Sequence, residues 1–153
     1  MKKLQLKIPP PIILATTGAL MWGIDLLLPQ QLFIGSAYSI LTTLAIALGL
    51  IIDLSSLVHF FAIKTTPNPL SPHKTKHLVV TGWYRFSRNP MYLGMLFLLI
   101  GWGLTLGNSF ALMLIPAFVF LLTNLQIKPE EAVLRELFDD EFEQYCQRVR
   151  RWI

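Results

Sequence analysis

The chain has 153 residues, of which 54% are hydrophobic and 14% are charged, and its formal net charge is +4. Soluble domains usually carry about 25% charged residues, so this composition excludes an ordinary soluble protein and indicates an integral membrane protein. The length is that of one domain, and we expect residues 1–153 to form a single membrane domain. The positive charge does not require nucleic acid as a partner, because the Lys and Arg residues all flank apolar stretches.

Two apolar stretches occupy the first half of the chain. Each contains one acidic residue, Asp25 or Asp53, and the break between the stretches is the sequence LPQQ at 28–31. We predict transmembrane helices at about 11–28 and 33–62. The second is longer than a bilayer requires, so its end should protrude into the cytoplasm.

The longest apolar stretch, residues 89–127, contains no ionisable side chain other than Tyr92. As one helix it would be about 58 Å long, roughly twice the hydrocarbon thickness of a bilayer, so it predicts two helices. The sequence GNS at 107–109 is a turn signal with an N-cap candidate, which sets the helices at about 91–106 and 110–126. The prediction is therefore an all-α integral membrane protein with about four transmembrane helices.

The distribution of basic residues predicts the orientation of these helices. All 13 Lys and Arg residues precede the first helix, lie between the second and third, or follow the fourth. By the positive-inside rule, both termini and the long loop at 64–90 are cytoplasmic. This loop contains Pro67, Pro69 and Pro72. A loop that is stiffer and longer than a connection requires favours a functional role.

The C-terminal tail predicts a cytoplasmic amphipathic helix at about 129–150. Pro129 suits the first helical turn, and Glu130 and Glu131 follow it, where the helix dipole favours carboxylates. Apolar residues recur along one face, namely Leu134, Leu137, Phe138, Phe142, Tyr145, Val149 and Trp152. We expect the helix to lie on the membrane or against the loop, with its end anchored at the lipid headgroups. The anchoring residues would be Arg148, Arg150, Arg151 and Trp152.

Four features converge on the predicted cytoplasmic surface, and each has a structural and a functional interpretation. The sequence RNPMY at 88–92 is either a helix start at the interface or part of a ligand site. Gly101 and Gly103 either serve helix packing or let a flat ligand approach the backbone. The pair at 130–131 either complements the helix dipole or accepts hydrogen bonds from a ligand. Asp53 either pairs with a cation of the loop or is functional.

The sequence predicts no metal site. His73 and His77 are four residues apart, but Pro72 argues against a helix that presents both, and nothing nearby completes a ligand set. Walker, Rossmann and G-x-S-x-G motifs do not occur in the sequence.

Several motifs follow one another between Thr66 and the C-terminus. They are LVVTGWY at 78–84, RNPMYLG at 88–94, GWG at 101–103, EE at 130–131 and VRRWI at 149–153. In this order they resemble the integral-membrane methyltransferases, the group of isoprenylcysteine carboxyl methyltransferases and phospholipid N-methyltransferases. One departure is Asn89, where the eukaryotic carboxyl methyltransferases have His.

The resemblance implies S-adenosylmethionine as cofactor, bound between the loop, the third and fourth helices and the C-terminal helix. It also implies Arg88 and Glu131 as catalytic residues. The cofactor-binding residues implied by the motifs are Tyr84, Arg88, Asn89, Pro90, Tyr92, Gly94, Gly101, Gly103, Glu130 and Glu131.

Methyl transfer is a direct displacement at a sulfonium carbon, which needs alignment and little covalent help from the protein. The acceptor would be a lipophilic small molecule, a lipid or a lipidated protein that enters between helices, while the cofactor enters from the cytoplasm. A carboxylate acceptor could be held by Arg88. An amine acceptor needs a base, for which Glu131 and Asp53 are candidates.

Two other functions are compatible with these residues. Membrane sterol reductases have a similar Arg-x-Pro-x-Tyr pattern and bind NADPH, but they place an acidic residue where this chain has Met95. A small proton-coupled transporter would use Asp53 or Asp25, but it leaves the proline-rich loop and the amphipathic tail without a role.

Overall fold

The computed structural model describes residues 5–30, 36–62 and 78–153, and every regular element within these ranges is helical. In chain order these are α1 (Pro10–Leu27), α2 (Ser36–Ala62), a 3₁₀ turn (Gly82–Arg85), α3 (Pro90–Leu106), α4 (Ser109–Leu112), α5 (Leu114–Leu122), a π turn (Thr123–Ile127) and α6 (Lys128–Arg148).

Three of the described segments are long and apolar enough to cross a membrane. They are α1, the part Tyr38–His59 of α2, and the helical run Ser109–Arg148. In this last run the uninterrupted apolar part ends at Ile127, and charged residues begin at Lys128. Helix α3 is a shorter apolar helix of 17 residues. An all-helical membrane protein is thus confirmed.

The helix boundaries agree closely with the sequence-based prediction. Proline occupies the first turn of both α1 and α3, where its missing N–H costs no helical hydrogen bond. Asn108 ends the turn before α4 and caps that helix, because its Oδ1 accepts from the N–H groups of Phe110 and Ala111. Residues 33–35 of the second predicted helix lie outside the described residues.

The fourth helix and the amphipathic helix, predicted at about 110–126 and 129–150, are joined, because the helical run continues through the π turn without a loop. Pro129 has no N–H to donate to the carbonyl of Leu125, four residues earlier. The N–H of Leu6 donates to that carbonyl instead, at 3.0 Å. The Lys128 N–H donates to Thr123 O and closes the wider turn. The N-terminal segment thereby docks on the π turn.

The prediction of one uninterrupted C-terminal helix is wrong. Helix α6 is kinked at Asp139, which has φ 37° and ψ −114°. Beyond the kink, Phe142 and Tyr145 pack in a buried cluster with Val79 and Tyr84. Of the two predicted locations for this helix, the structure therefore shows packing against the segment that precedes α3.

Helices α2 and α3 approach each other closely because glycines line their contact. A Cβ atom on Gly49 would lie 2.8 Å from the backbone oxygen of Gly94. A Cβ on Gly94 would overlap with the Asp53 carboxylate, and one on Gly101 would lie 2.5 Å from Ile46 Cγ1. Small residues permit such packing between membrane helices.

Candidate active site

Polar side chains from four segments meet at the end of the bundle where α2 ends and α3 begins, which we call the loop end. These segments are the 3₁₀ turn, the first turn of α3, the first turn of α6 and the C-terminal residues 149–153. Many of the residues singled out in the sequence lie here. The structure therefore brings together motifs that are up to about 60 positions apart in the chain.

Glu131 is held by two arginines. Arg88 Nη2 lies 2.8 Å from Glu131 Oε1, and Arg151 lies 3.0 Å from Oε1 through Nε and 2.6 Å from Oε2 through Nη2. The Glu131 side chain is only 9% exposed. Burial opposes ionisation of this carboxyl, but the hydrogen bonds from Arg151 and Arg88 outweigh it and lower its pKa. Glu131 is therefore a carboxylate at neutral pH.

Arg88 also fastens the C-terminal residues to the loop end. Its Nη1 donates to the backbone oxygens of Cys146 at 3.2 Å and Val149 at 2.7 Å. Its backbone N–H donates to Arg150 O at 3.0 Å. The buried Nε atom has no hydrogen-bond partner among the described residues. The Nη groups of Arg88 thus bind the protein itself.

Asn89 makes a second set of contacts with the C-terminal residues. Its Nδ2 donates to Arg151 O at 2.9 Å, and its backbone N–H donates to Ser87 Oγ at 3.1 Å. Pro90, which begins α3, is buried beside it. The asparagine that replaces the family histidine therefore has a structural contact of its own.

Tyr92 and Glu130 form another pair. Tyr92 Oη donates to Glu130 Oε1 at 2.6 Å. Burial raises the pKa of Glu130 to about 8, although the hydrogen bond from Tyr92 acts in the opposite direction. The pKa values of these adjacent carboxyls thus differ in direction, because Glu131 binds arginines whereas Glu130 is buried and binds a phenol.

Tyr84 connects this pair with the rest of the loop end. Its backbone oxygen accepts from Tyr145 Oη at 2.7 Å, and its side chain is buried. Burial, together with the charges of Tyr145, Glu130 and Asp53, raises the pKa of Tyr84. The phenol therefore stays neutral.

The predicted glycines do not all lie together. Gly94 lies at the loop end against Asp53, whereas Gly101 faces Ile46 of α2. A Cβ on Gly103 would meet Leu112 and Met21, on another side of α3 and about 20 Å along the helix from its start. Both distant glycines serve helix packing, and the cofactor-binding role predicted for them stays a prediction.

The contacts that Arg151 and Trp152 make were not predicted from the sequence. Both were expected at the lipid headgroups, but Arg151 binds Glu131, and Trp152 packs against the buried core. Trp152 Nε1 also donates to Thr123 Oγ1 at 3.2 Å. The only signal in the sequence is the position of VRRWI directly after an amphipathic helix, which does not specify a partner for either residue.

An apolar groove opens on the side of the bundle between α1 and α3, with a volume of about 390 Å³. It is lined by Leu14, Gly18, Trp22, Leu98, Leu99 and Trp102, among others. Trp102 Nε1 donates to Gly18 O at 3.1 Å, which satisfies the indole N–H within this apolar wall.

No cluster of three or more potential metal ligands occurs in the part of the chain that the structure describes. His73 and His77 lie outside it, so the prediction that they bind no metal stays a prediction.

The helices and the polar cluster define the class, an all-helical membrane protein with a candidate site at one end of its bundle. The chain belongs to the phospholipid methyltransferase family, whose model matches residues 37–141. The resemblance found in the motifs is thereby confirmed, and the match indicates a membrane methyltransferase.

Three relatives illustrate the range of similarity. An uncharacterised protein of Haemophilus influenzae is 43% identical over 63 residues, which cover 41% of this chain and 100% of the relative. The protein-S-isoprenylcysteine O-methyltransferase of Saccharomyces cerevisiae is 35% identical over 123 residues, which cover 74% of this chain and 50% of the enzyme. The Delta(14)-sterol reductase LBR of Gallus gallus is 34% identical over 76 residues, which cover 48% of this chain and 12% of the reductase. No solved structure matches the chain significantly.

Proposed function

We propose that this protein transfers the methyl group of S-adenosylmethionine to a lipid or lipidated acceptor at the loop end of the bundle. The observation that carries this proposal is the cluster in which Arg88 and Arg151 hold Glu131 while Tyr92 donates to Glu130. It joins the RNPMYLG and EE motifs of a methyltransferase family into one site. The match to half of an isoprenylcysteine O-methyltransferase supports the same class of acceptor.

The residues at the loop end fit such a cofactor. The methionine end of S-adenosylmethionine carries a carboxylate and an ammonium group. Arg88 Nε is a buried donor without a partner, and Asp53 Oδ1 is a buried acceptor without a partner among the described residues. When bound, the cofactor supplies an electrophilic methyl group. The protein residues would orient it and exclude water.

In this proposal, Glu131 does not act as the base. Both of its oxygens accept hydrogen bonds from arginines, and its pKa is lowered, so it is a poor proton acceptor. Glu131 would instead fix the position of Arg88 beside the reacting groups. The apolar groove between α1 and α3 would let the lipophilic part of the acceptor lie in the bilayer.

We propose that α3 also crosses the membrane, in addition to the three longer segments, so that the chain has four spans. The loop end would be cytoplasmic. The 17 residues of α3 are about 26 Å long, close to the thickness of the hydrocarbon core. All 13 Lys and Arg residues would then lie on the cytoplasmic side.

The decisive experiment supplies membranes containing the protein with S-adenosylmethionine labelled in its methyl group and measures label in extracted lipids and proteins. We expect transfer to fall by about 100-fold or more in Arg88→Ala and in Glu131→Ala. The exposed Arg135→Ala is the matched control and should retain full transfer. Retention of transfer by both Arg88→Ala and Glu131→Ala would refute the proposal.

A reductase function is the second candidate, since part of the chain matches a sterol reductase. Calorimetric titration of the purified protein separates the two. Binding of S-adenosylmethionine and its demethylated product, without binding of NADPH, supports methyl transfer. Binding of NADPH alone supports the reductase.

A further inference from the structure

One oxygen of Asp53, a half-buried residue near the loop end, has no partner among the described residues. Asp53 Oδ1 is inaccessible to solvent and accepts no hydrogen bond from any residue that the structure describes. Ser56 lies three positions further along α2, on the same face of the helix. It is 1% exposed, and its Oγ is also without a partner in the described ranges. The two unpaired oxygens therefore belong to residues on one face of α2.

These two oxygens lie beside the candidate active site. A Cβ atom on Gly94 would overlap with the Asp53 carboxylate, so the absence of a side chain at Gly94 makes room for it. Gly94 lies two positions after Tyr92, whose hydroxyl bonds Glu130. Asp53 therefore lies beside the first turns of α3, which carry Tyr92.

Within the described ranges, no cation compensates the charge of Asp53. None of the ion pairs among the described residues includes Asp53, and Arg88 and Arg151 are both engaged by Glu131. A buried carboxylate without a cation is costly, by several kcal/mol in general. A cationic ligand would remove that cost.

We propose that Asp53 and Ser56 form a binding site for a primary ammonium group of a ligand. A primary ammonium has three donors, and the site offers two unpaired acceptors on one face of α2. This inference deepens the proposed function and rests on it for the identity of the ligand. Two sources supply such a group, the amine headgroup of a lipid acceptor and the amino group of S-adenosylmethionine.

The test uses Asp53→Asn, which keeps the size of the side chain and removes its charge. The purified full-length protein is titrated calorimetrically in detergent with three probes. These are lysophosphatidylethanolamine, lysophosphatidylglycerol as the matched lipid without an amine, and S-adenosylhomocysteine, which retains the amino group. Asp140→Asn, at an exposed position of α6, is the control variant.

We expect Asp53→Asn to weaken binding of one amine-bearing probe about 10-fold or more, the usual effect of losing a charge-assisted hydrogen bond. Ser56→Ala should weaken binding of the same probe by a smaller factor. A loss confined to lysophosphatidylethanolamine assigns the site to the acceptor, and a loss confined to S-adenosylhomocysteine assigns it to the cofactor. Unchanged affinity for both amines, or an equal loss for lysophosphatidylglycerol, overturns the proposal.

Thermal unfolding of the ligand-free protein gives an independent readout. Asp53→Asn should unfold at an equal or higher temperature than the wild type, because it removes a half-buried charge that no described cation compensates. A clear decrease would show that Asp53 has a structural partner, and it would also overturn the proposal. These measurements report binding and stability and do not depend on methyl transfer. A failure of this proposal is therefore distinguishable from a failure of the proposed function.

Discussion

Arg151 Nη2 lies 2.6 Å from Glu131 Oε2, and this ion pair joins the C-terminal residues to the start of α6. The Glu131 side chain is 9% exposed and that of Arg151 is 35% exposed, so Arg151 covers a largely buried carboxylate from the solvent side. Because Arg88 binds Oε1 of the same carboxylate, we expect Arg151 to help fix the position of Arg88.

Arg151→Ala should lower the free energy of unfolding by about 1–2 kcal/mol, since a hydrogen-bonded ion pair with one partly exposed member is lost. Methyl transfer should fall while binding of S-adenosylmethionine changes less, because Arg88 remains but is less well fixed. Arg151→Lys should retain only part of the stability and only part of the methyl transfer, since lysine lacks the forked geometry of arginine. Thermal unfolding in detergent and kinetic analysis measure these effects. The neighbouring, exposed Arg150→Ala is the control, and an equal effect there would contradict the role of Arg151.

Stability should depend on pH through Glu131. Its pKa is lowered in the folded state, so its contribution is fully present above the unfolded value of about 4.3. The contribution is lost as the pH falls through the lower folded value, where the carboxylate becomes protonated. The difference in unfolding temperature between wild type and Glu131→Gln should thus be constant near pH 7 and shrink below about pH 4. The same scan with the exposed Glu136→Gln should show no such difference, and a constant gap for Glu131→Gln down to pH 2 would argue against the prediction.

Glycine-to-alanine substitutions should lower stability where the glycine lies in a close helix contact and leave it unchanged where the glycine has open space around it. Gly101→Ala would bring a methyl group to 2.5 Å from Ile46 Cγ1, and Gly94→Ala would meet the Asp53 carboxylate. Each should lower stability by about 1–3 kcal/mol, the usual cost of overpacking. Gly23→Ala, with no atom within 4 Å of its Cβ, should be neutral or stabilise α1 by up to about 1 kcal/mol. Unfolding in detergent measures all three variants, and equal stabilities would show that α2 and α3 do not pack closely.

Cysteine labelling tests the proposed orientation. The chain has one Cys, so a Cys146→Ser background is free of thiols. In right-side-out vesicles, a membrane-impermeant maleimide should label Pro29→Cys from outside, because this position lies at the end of the bundle opposite the loop end. Arg135→Cys should react only after the vesicles are opened. The reverse pattern would place the loop end outside and contradict the positive-inside argument.

The sequence by itself determined the helices and the motifs. Apolar stretches of membrane-spanning length set α1 and α3 to within one residue, because helix starts and stops depend on nearby proline, glycine and capping residues. The motifs at 88–94 and 130–131 indicated the family for a similar reason. Their residues are close in the chain, so the pattern is visible without knowledge of the fold.

Only the tertiary structure decided which residues meet. Arg88, Glu131 and Arg151 are separated by 43 and 20 positions, and no local pattern specifies that two arginines share one carboxylate. The same holds for Gly101 and Gly103, which face different helices although they are two positions apart. The kink at Asp139 precedes Phe142 and Tyr145, which pack against Val79 and Tyr84, far away in the chain. Hydropathy and capping act over a few residues, whereas these contacts depend on how whole helices pack.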